Sequence, residues 1–352
     1  MGSGSSSKAF TLHQSLSTNK VDLNNQVYSE LFPVWSIAIT PNGLQLAAAC
    51  ADNRIHLWCL TYYKILVSLT GHGDTIWHVQ YSPDNRFLAS ASADGTIRLW
   101  EVDTGLPLSI LRGHANWVWC LSFSPDGMTF VSGGADTRLF VWQLYSTDET
   151  GQTVFNNYPS QMWPAHAKSI HGVAFSPKDP RKLITCSSDE TIGVWDVQSY
   201  ELKCRLRGHL GTINAVALCP MNDNLIASCG EDHTVRLWSL RDLTAESVEK
   251  SKRTDAGYCL PHHILKGHTE AVWTISFSSD GRLLASGSSD CSVRIWNVSA
   301  KQPTLNAHFK AHAAWVRSLA WTGDRHFVCS AGTDGVVSMW NVPKKYHRSE
   351  RG

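Results

Sequence analysis

GHTEAVWTISFSSDGRLLASGSSDCSVRIW, residues 267–296, is the stretch that decides the fold. A His follows a Gly at His268, an Asp comes 22 positions later at Asp290, and a Trp closes the stretch six positions further at Trp296. The Asp-to-Trp step of six occurs seven times: Asp52/Trp58, Asp94/Trp100, Asp136/Trp142, Asp189/Trp195, Asp232/Trp238, Asp290/Trp296 and Asp334/Trp340. Successive signature tryptophans lie 42, 42, 53, 43, 58 and 44 residues apart. A period of roughly 40–45 residues marks a repeat architecture, in which each unit buries its apolar face only by stacking on its neighbours. Within one unit, Ile76–Ser82, Phe87–Ser92 and Thr96–Trp100 are short apolar and β-branched runs. The turn residues Pro83-Asp84-Asn85 and Asp94-Gly95 separate them, a strand–turn–strand pattern. It recurs over Val118–Asp136, Val272–Asp290 and Val316–Asp334, with no long amphipathic helical window.

These residues resemble the WD-repeat β-propeller family over roughly residues 22–342. The resemblance implies an all-β, seven-bladed propeller with four-stranded antiparallel blades. Each sequence repeat then supplies the outer strand of one blade and the three inner strands of the next. An N-terminal strand, expected near Asp22–Tyr28, completes the last blade, because an open ring would leave sheet edges unpaired. The expected organisation is a flexible Gly/Ser-rich tip over residues 1–20, one propeller over 21–343 and a flexible tail over 344–352. Trp142 to His166 spans 24 positions and Trp238 to His268 spans 30, against 14 from Trp58 to His72. The excess falls at about residues 145–163 and 243–260. The second insertion is charged and apolar-poor and reads as a mobile loop. Such loops carry partner contacts or are simply tolerated insertions.

Composition narrows the function classes. Thirty-one basic and 30 acidic residues give a net charge of +1, without the positive bias that drives nucleic-acid binding through phosphate neutralisation. Ten cysteines are scattered without a CxxC pair, which reads as reduced thiols in an intracellular protein of cytoplasm or nucleus, with neither zinc site nor disulfide framework. No run of 18 apolar residues spans a membrane, and the N-terminus has no apolar signal core. Gly2 with Ser6 fits an N-myristoylation pattern, and a vector-derived or disordered tip fits equally. A single acyl chain would anchor only marginally.

Ser, His and Asp in every unit invite a catalytic reading, and repetition argues against it. Histidines 72, 114, 166, 209, 268 and 312 recur in one register, and Ser90, Ser132, Thr185, Ser228, Ser286 and Ser330 stand four before the Asp. By resemblance they form buried Asp–His–Ser/Thr–Trp hydrogen-bond chains, since a buried indole N–H needs an acceptor and a hydroxyl accepts while donating onward. The first unit departs: Glu30 falls in the His register and Ala48 in the Ser/Thr register, which predicts a less rigid blade.

Fifteen tryptophans exceed what seven signatures use. Trp117 and Trp315 stand three after the His register. Trp35, Trp77, Trp119 and Trp273 stand five after it, in a column completed by His171, Asn214 and Arg317. Trp321 reads as core, and Trp163 falls in the first insertion. By resemblance the two columns project at the top face around the channel mouth. The residue before each Asp faces it too and is mostly small (Ala51, Ala93, Ala135, Ser188), with Glu231 the one acid. Two roles fit the Trp-rich rim: holding a partner, as Trp and Arg do in binding hot spots, or packing against the next blade.

The sequence therefore points to a non-catalytic interaction scaffold. It would bind a protein or peptide partner at this rim and dock in a multi-subunit complex, with no cofactor, metal or nucleic acid. A narrower alternative is the substrate receptor of a cullin-type ubiquitin ligase, because Trp238-Ser239-Leu240-Arg241 is similar to the family's W-D-x-R element, with Ser239 in place of Asp. An enzyme is the third reading. No phosphate-binding glycine loop or metal-ligand cluster stands out, and the adjacent His262 and His263 lack a third ligand.

Overall fold

The structure, a computed structural model, describes residues 10–17, 20–21, 27–28, 31–147, 153–242 and 261–346. Gly2, Ser6, Glu30, the 243–260 insertion and residues 347–352 lie outside these. Seven four-stranded sheets form the seven blades. In each, three consecutive strands run outward as an antiparallel meander, as in Val272–Phe277, Leu283–Ser288 and Ser292–Asn297 of blade six, with Thr304–Lys310 as the outer strand. The middle strands are almost wholly buried on both faces because each blade is covered by a neighbour on either side. They therefore read as continuous small and apolar runs such as Phe87–Ser92.

The ring closes through the N-terminus, but not where the sequence suggested. Thr11–Ser17 pairs antiparallel with Val336–Asn341 as the outer strand of blade seven. Residues 20–21 and 27–28 pair only with each other. The expected closing strand near Asp22–Tyr28 is corrected by this pairing, and Thr11–Ser17, expected within a flexible tip, are strand; residues 1–9 and 18–19 of that tip lie outside the described residues. The physical reason lies in how outer strands are held. Each sets one large side chain opposite the third residue after the signature Asp: Leu69 on Ile55, Leu111 on Ile97, Trp163 on Leu139, Leu206 on Ile192, Leu265 on Val235 and Phe309 on Val293. Leu16 takes that place opposite Val337 and is buried in the core shared by blades seven and one. Ile37 N–H donates to Ser318 Oγ at 3.0 Å across the same seam.

The described part of the first insertion packs on the blades. Tyr145–Thr147 and Thr153–Phe155 form a small hairpin. Tyr145 and Phe155 pack at 5.2 Å on each other and at 6.2 and 5.8 Å on Phe87 of blade two. Its end, Gln161–Pro164, is the outer strand of blade three, so Trp163 is a blade anchor rather than an insertion residue. The expected C-terminal tail begins with a single 3-10 turn, Lys344–Tyr346, whose Tyr346 ring lies 6.0 Å from Phe10.

All six predicted hydrogen-bond chains are present. His72 Nδ1 is 2.8 Å from Asp94 Oδ2, its Nε2 is 2.7 Å from Ser90 Oγ, and Trp100 Nε1–H donates to the same Oγ at 2.9 Å. The chains built on His114, His166, His209, His268 and His312 repeat this geometry. The tautomer follows from what can donate: the indole donates to the hydroxyl, so the hydroxyl proton goes to Nε2, and Nδ1–H goes to the carboxylate. Burial alone would raise the carboxyls, but the imidazole and a Thr or Ser two residues on hold Asp94, Asp189, Asp232 and Asp290 well below the usual range. Desolvation lowers His166, His209 and His268 despite their Asp partners, so these rings are neutral links.

Blade one replaces its missing links. His56, four residues after Asp52, brings Nε2 within 3.3 Å of Asp52 Oδ2 and Nδ1 within 2.8 Å of Ser68 Oγ. Arg236 pairs with Asp232 from the same register at 3.0 Å. The replacement is incomplete: with Ala48 in place of a hydroxyl, Trp58 Nε1 is buried without an acceptor.

Two predictions follow from closure and from the neutral histidines. A chain beginning at residue 18 exposes the edge of Val336–Asn341 and should unfold less cooperatively or aggregate; an unchanged thermal transition would contradict closure by Thr11–Ser17. Unfolded histidines take up a proton near pH 6.5, at about their ordinary value. The folded rings resist protonation, so stability is full above that pH and declines as pH falls below it; the depressed carboxyls add a further loss below about pH 4. Tm measured at pH 5 should therefore lie several degrees below Tm at pH 7.5, and equal values would refute neutral buried rings.

Candidate functional site

The seven residues of the five-after column are the seven residues at which the innermost strands break register. In each blade the ladder between first and second strands skips one residue: Trp35, Trp77, Trp119, His171, Asn214, Trp273 and Arg317. An extra residue in one strand bends it and re-aims its side chain. Here seven bulges turn seven side chains into one cavity of about 500 Å³ at the mouth of the ring, which all seven line. In blades two to seven the hydrogen-bonded Asp and His join the loops beside the bulge.

The rings touch around the mouth. Trp35 and Trp77 have centroids 4.9 Å apart, Trp77 and Trp119 4.7 Å, and Trp119 and His171 5.3 Å. The Arg317 guanidinium closes the other side, 4.1 Å from the Trp273 ring centroid and 5.0 Å from that of Trp35. Asn214 is buried and donates from Nδ2 to Val272 O at 2.9 Å. Above this layer Trp117 and Trp315 are 45% and 48% exposed. Trp117 packs edge-on to Trp119 at 5.4 Å and Trp315 stacks on Trp273 at 6.0 Å. Glu231 is exposed and also lines the cavity.

The residue before each Asp decides how its neighbour is satisfied. Ser188 Oγ is 2.8 Å from His171 Nε2, and Ser289 Oγ accepts from Trp273 Nε1 at 2.6 Å. In blades one to three that position is Ala51, Ala93 or Ala135, and the indole N–H groups of Trp35, Trp77 and Trp119 are buried with no acceptor among the described residues. Buried donors without partners are uncommon in folded proteins. Desolvation, with a contribution from Arg317, lowers His171 to about 4, so this imidazole is neutral near pH 7. Burial lowers Arg317 to about 10, which leaves it charged.

Other candidates are placed plainly. Trp238 of the W-S-L-R element is buried in its hydrogen-bond chain, while Arg241 is exposed on the short turn Leu240–Asp242. His263 lies in the outer strand His263–Leu265 beside His262, their rings 4.3 Å apart. Cys50, Asp52 and His56 bring one potential ligand atom each within 4.8 Å. Burial holds the Cys50 thiol well above its usual range, His56 is engaged by Asp52 and Ser68, and the group reads as blade one's substitute link. Cys50, Cys120, Cys186, Cys219, Cys229 and Cys329 are buried free thiols. Sequence reasoning missed Leu210, 82% exposed directly after His209. It also missed the exposed Ile65, Leu66 and Val67 on the outer strand of blade one, with the exposed Leu106 after a glycine that abuts Val67. An isolated outward Leu carries no periodic signal.

The fold is a seven-bladed propeller whose mouth is a bulge-built aromatic rim. The WD domain, G-beta repeat, matches residues 26–59, 63–101, 105–143, 157–196, 200–239, 259–297 and 303–341, so the chain belongs to the WD-repeat family. Each matched unit from the second onward joins an outer strand to the next blade's three inner strands. Nuclear distribution protein PAC1 of Arthroderma benhamiae is 32% identical over 148 residues, 42% of this chain and 30% of that protein. Striatin-4 of Homo sapiens is 45% identical over 47 residues, 13% of this chain and 6% of that protein. Notchless protein homolog of Arabidopsis thaliana is 51% identical over 39 residues, 11% and 8% of the two chains. The matches thus cover less than a third of each relative's length. Among the described residues no helix is long and apolar enough to cross a membrane.

The serine rule at the rim predicts a gain. Ala93→Ser should offer Trp77 Nε1 the acceptor that Ser289 gives Trp273 and raise stability by about 1 kcal/mol in chemical unfolding. A loss would show that the indole has no need of one.

Proposed function

We propose that this chain is a non-catalytic scaffold that binds a peptide segment of a protein partner at the Trp-rich mouth and docks within a multi-subunit complex. The observation that carries the reading is the convergence of seven bulged side chains on one cavity, with three indole donors left without acceptors. Trp58 and Trp163, which pack within blades, also lack acceptors, so what sets the mouth apart is that its three unsatisfied indoles line one cavity. Partial burial of two or three tryptophans on a partner supplies several kcal/mol, about 25 cal/mol per Å² of apolar surface covered. The relatives are WD-repeat proteins, and scaffolding is the common use of such discs, although fold alone does not assign function.

The aromatic faces argue against an open cage for a methylated lysine or arginine. Arg317 already occupies the faces of Trp35 and Trp273. The ubiquitin-ligase reading keeps one supporting feature, the exposed Arg241, and Arg241→Ala should break co-purification with a ligase adaptor if it holds.

Affinity capture from cells compares wild type with two variants. Trp117→Ala with Trp315→Ala alters only half-exposed rings and should keep Tm within about two degrees while weakening capture. The triple Trp77→Ala, Trp119→Ala, Trp273→Ala should abolish capture with the chain still folded. Undiminished capture by the folded triple variant would refute the reading.

A further inference from the structure

We propose that the mouth reads an acid: Arg317 receives the side-chain carboxylate of an Asp or Glu in the bound peptide. This rests on the mouth being the binding surface and goes beyond it by assigning the chemistry of the residue that enters.

Arg317 is the bulged residue of blade seven. Its guanidinium lies between the faces of Trp273 and Trp35, at 4.1 and 5.0 Å. Nothing among the described residues accepts a hydrogen bond from it, no carboxylate lies within ion-pair distance, and its Nε is buried without a partner. Arg236 is satisfied by Asp232 at 3.0 Å, and Arg205 by Thr191, Ala165 O and Asp189. Arg98 and Arg294 also bury an Nε without a partner, but Arg317 is the one of the three that lines the mouth cavity. A guanidinium taken partly out of water with only π faces around it is held in position but not neutralised. Its planar fork matches a carboxylate in bidentate fashion.

The other charged and titratable groups of the mouth narrow the ligand. Burial lowers both His171 and His78, the two imidazoles that line the cavity, to about 4, so neither adds a second cation. Glu231 stands two blades from Arg317 and sets an acid on the far side, which directs an incoming acid toward blade seven. A phosphate carries about −1.5 to −2 charge and calls for more than one cation; this mouth offers one and sets Glu231 against it. An incoming Lys or Arg meets Arg317 on the aromatic faces that would hold it. A carboxylate is the group that fits.

The test uses the full chain and four pools of fluorescent, N-acetylated, C-amidated random heptapeptides. The fixed central residue is Glu, Gln, Lys or phosphoserine, and affinity is read by anisotropy. The Glu pool should bind roughly tenfold tighter than the Gln pool, the worth of one charge-assisted fork, and the Lys pool weakest. Arg317→Gln should abolish the preference, so that the Glu and Gln pools bind that variant equally, Arg317→Lys should keep part of the preference, and Glu231→Gln should strengthen Glu binding. Equal affinity for Glu and Gln in wild type overturns the proposal whether or not the variants fold. So does a Glu preference that survives Arg317→Gln, or a phosphoserine pool that outbinds Glu. If all four pools bind equally and Trp77→Ala abolishes it, the mouth stands and the acid falls; if no pool binds, both fall.

Discussion

The hydrogen-bond chain from Asp through His and Ser or Thr to Trp is the interaction on which everything else depends. It ties the turn between the second and third strands to the loop entering the first, at distances of 2.7 to 2.9 Å in the blade of His72. In that blade the hydroxyl's links to imidazole and indole are buried, the imidazole–carboxylate link is half-buried, and each donor has an acceptor, so the chain acts as a unit; removal of one member strands the others. The price of that rigidity is fixed chemistry. These residues are spent on scaffold, and whatever the protein does must be done by side chains the chain of bonds merely positions.

Those side chains are the bulged ones. A regular ladder would point successive residues of the innermost strand to alternate faces of the blade. Skipping one residue per blade frees its side chain from both faces and turns it toward the axis. The seven blades thus share a backbone device while differing in what it carries: four tryptophans, a neutral histidine, an asparagine and an arginine. Sequence variation at one register becomes chemical variation around one cavity.

Much of this was legible in the sequence. Period and signatures required only spacing, the six bond chains followed from the resemblance to the WD-repeat family, and the mouth column could be aligned by counting from the His. The closing strand was not legible because it buries one side chain in seven residues. Leu16 alone among Thr11–Ser17 is buried, so TLHQSLS carries no period. The His56 substitution was hidden because it comes from a different register than the residue it replaces, and the order of the first insertion rests on Phe87, a residue far from it in sequence. The bulges and the placement of Arg317 between two indoles are facts of register and three-dimensional proximity that spacing does not encode.

The central claim is that the mouth tryptophans bind while the signature tryptophans hold the blades. Indole ¹H–¹⁵N resonances separate the two sets directly in a titration with the captured partner peptide. The indole signals of Trp35, Trp77 and Trp119, which have no acceptor in the free protein, should shift on binding, while those of Trp100, Trp142 and Trp238, bonded to Ser90, Ser132 and Ser228, should not. Saturable binding that leaves all three mouth indoles unmoved would place the binding surface elsewhere on the disc.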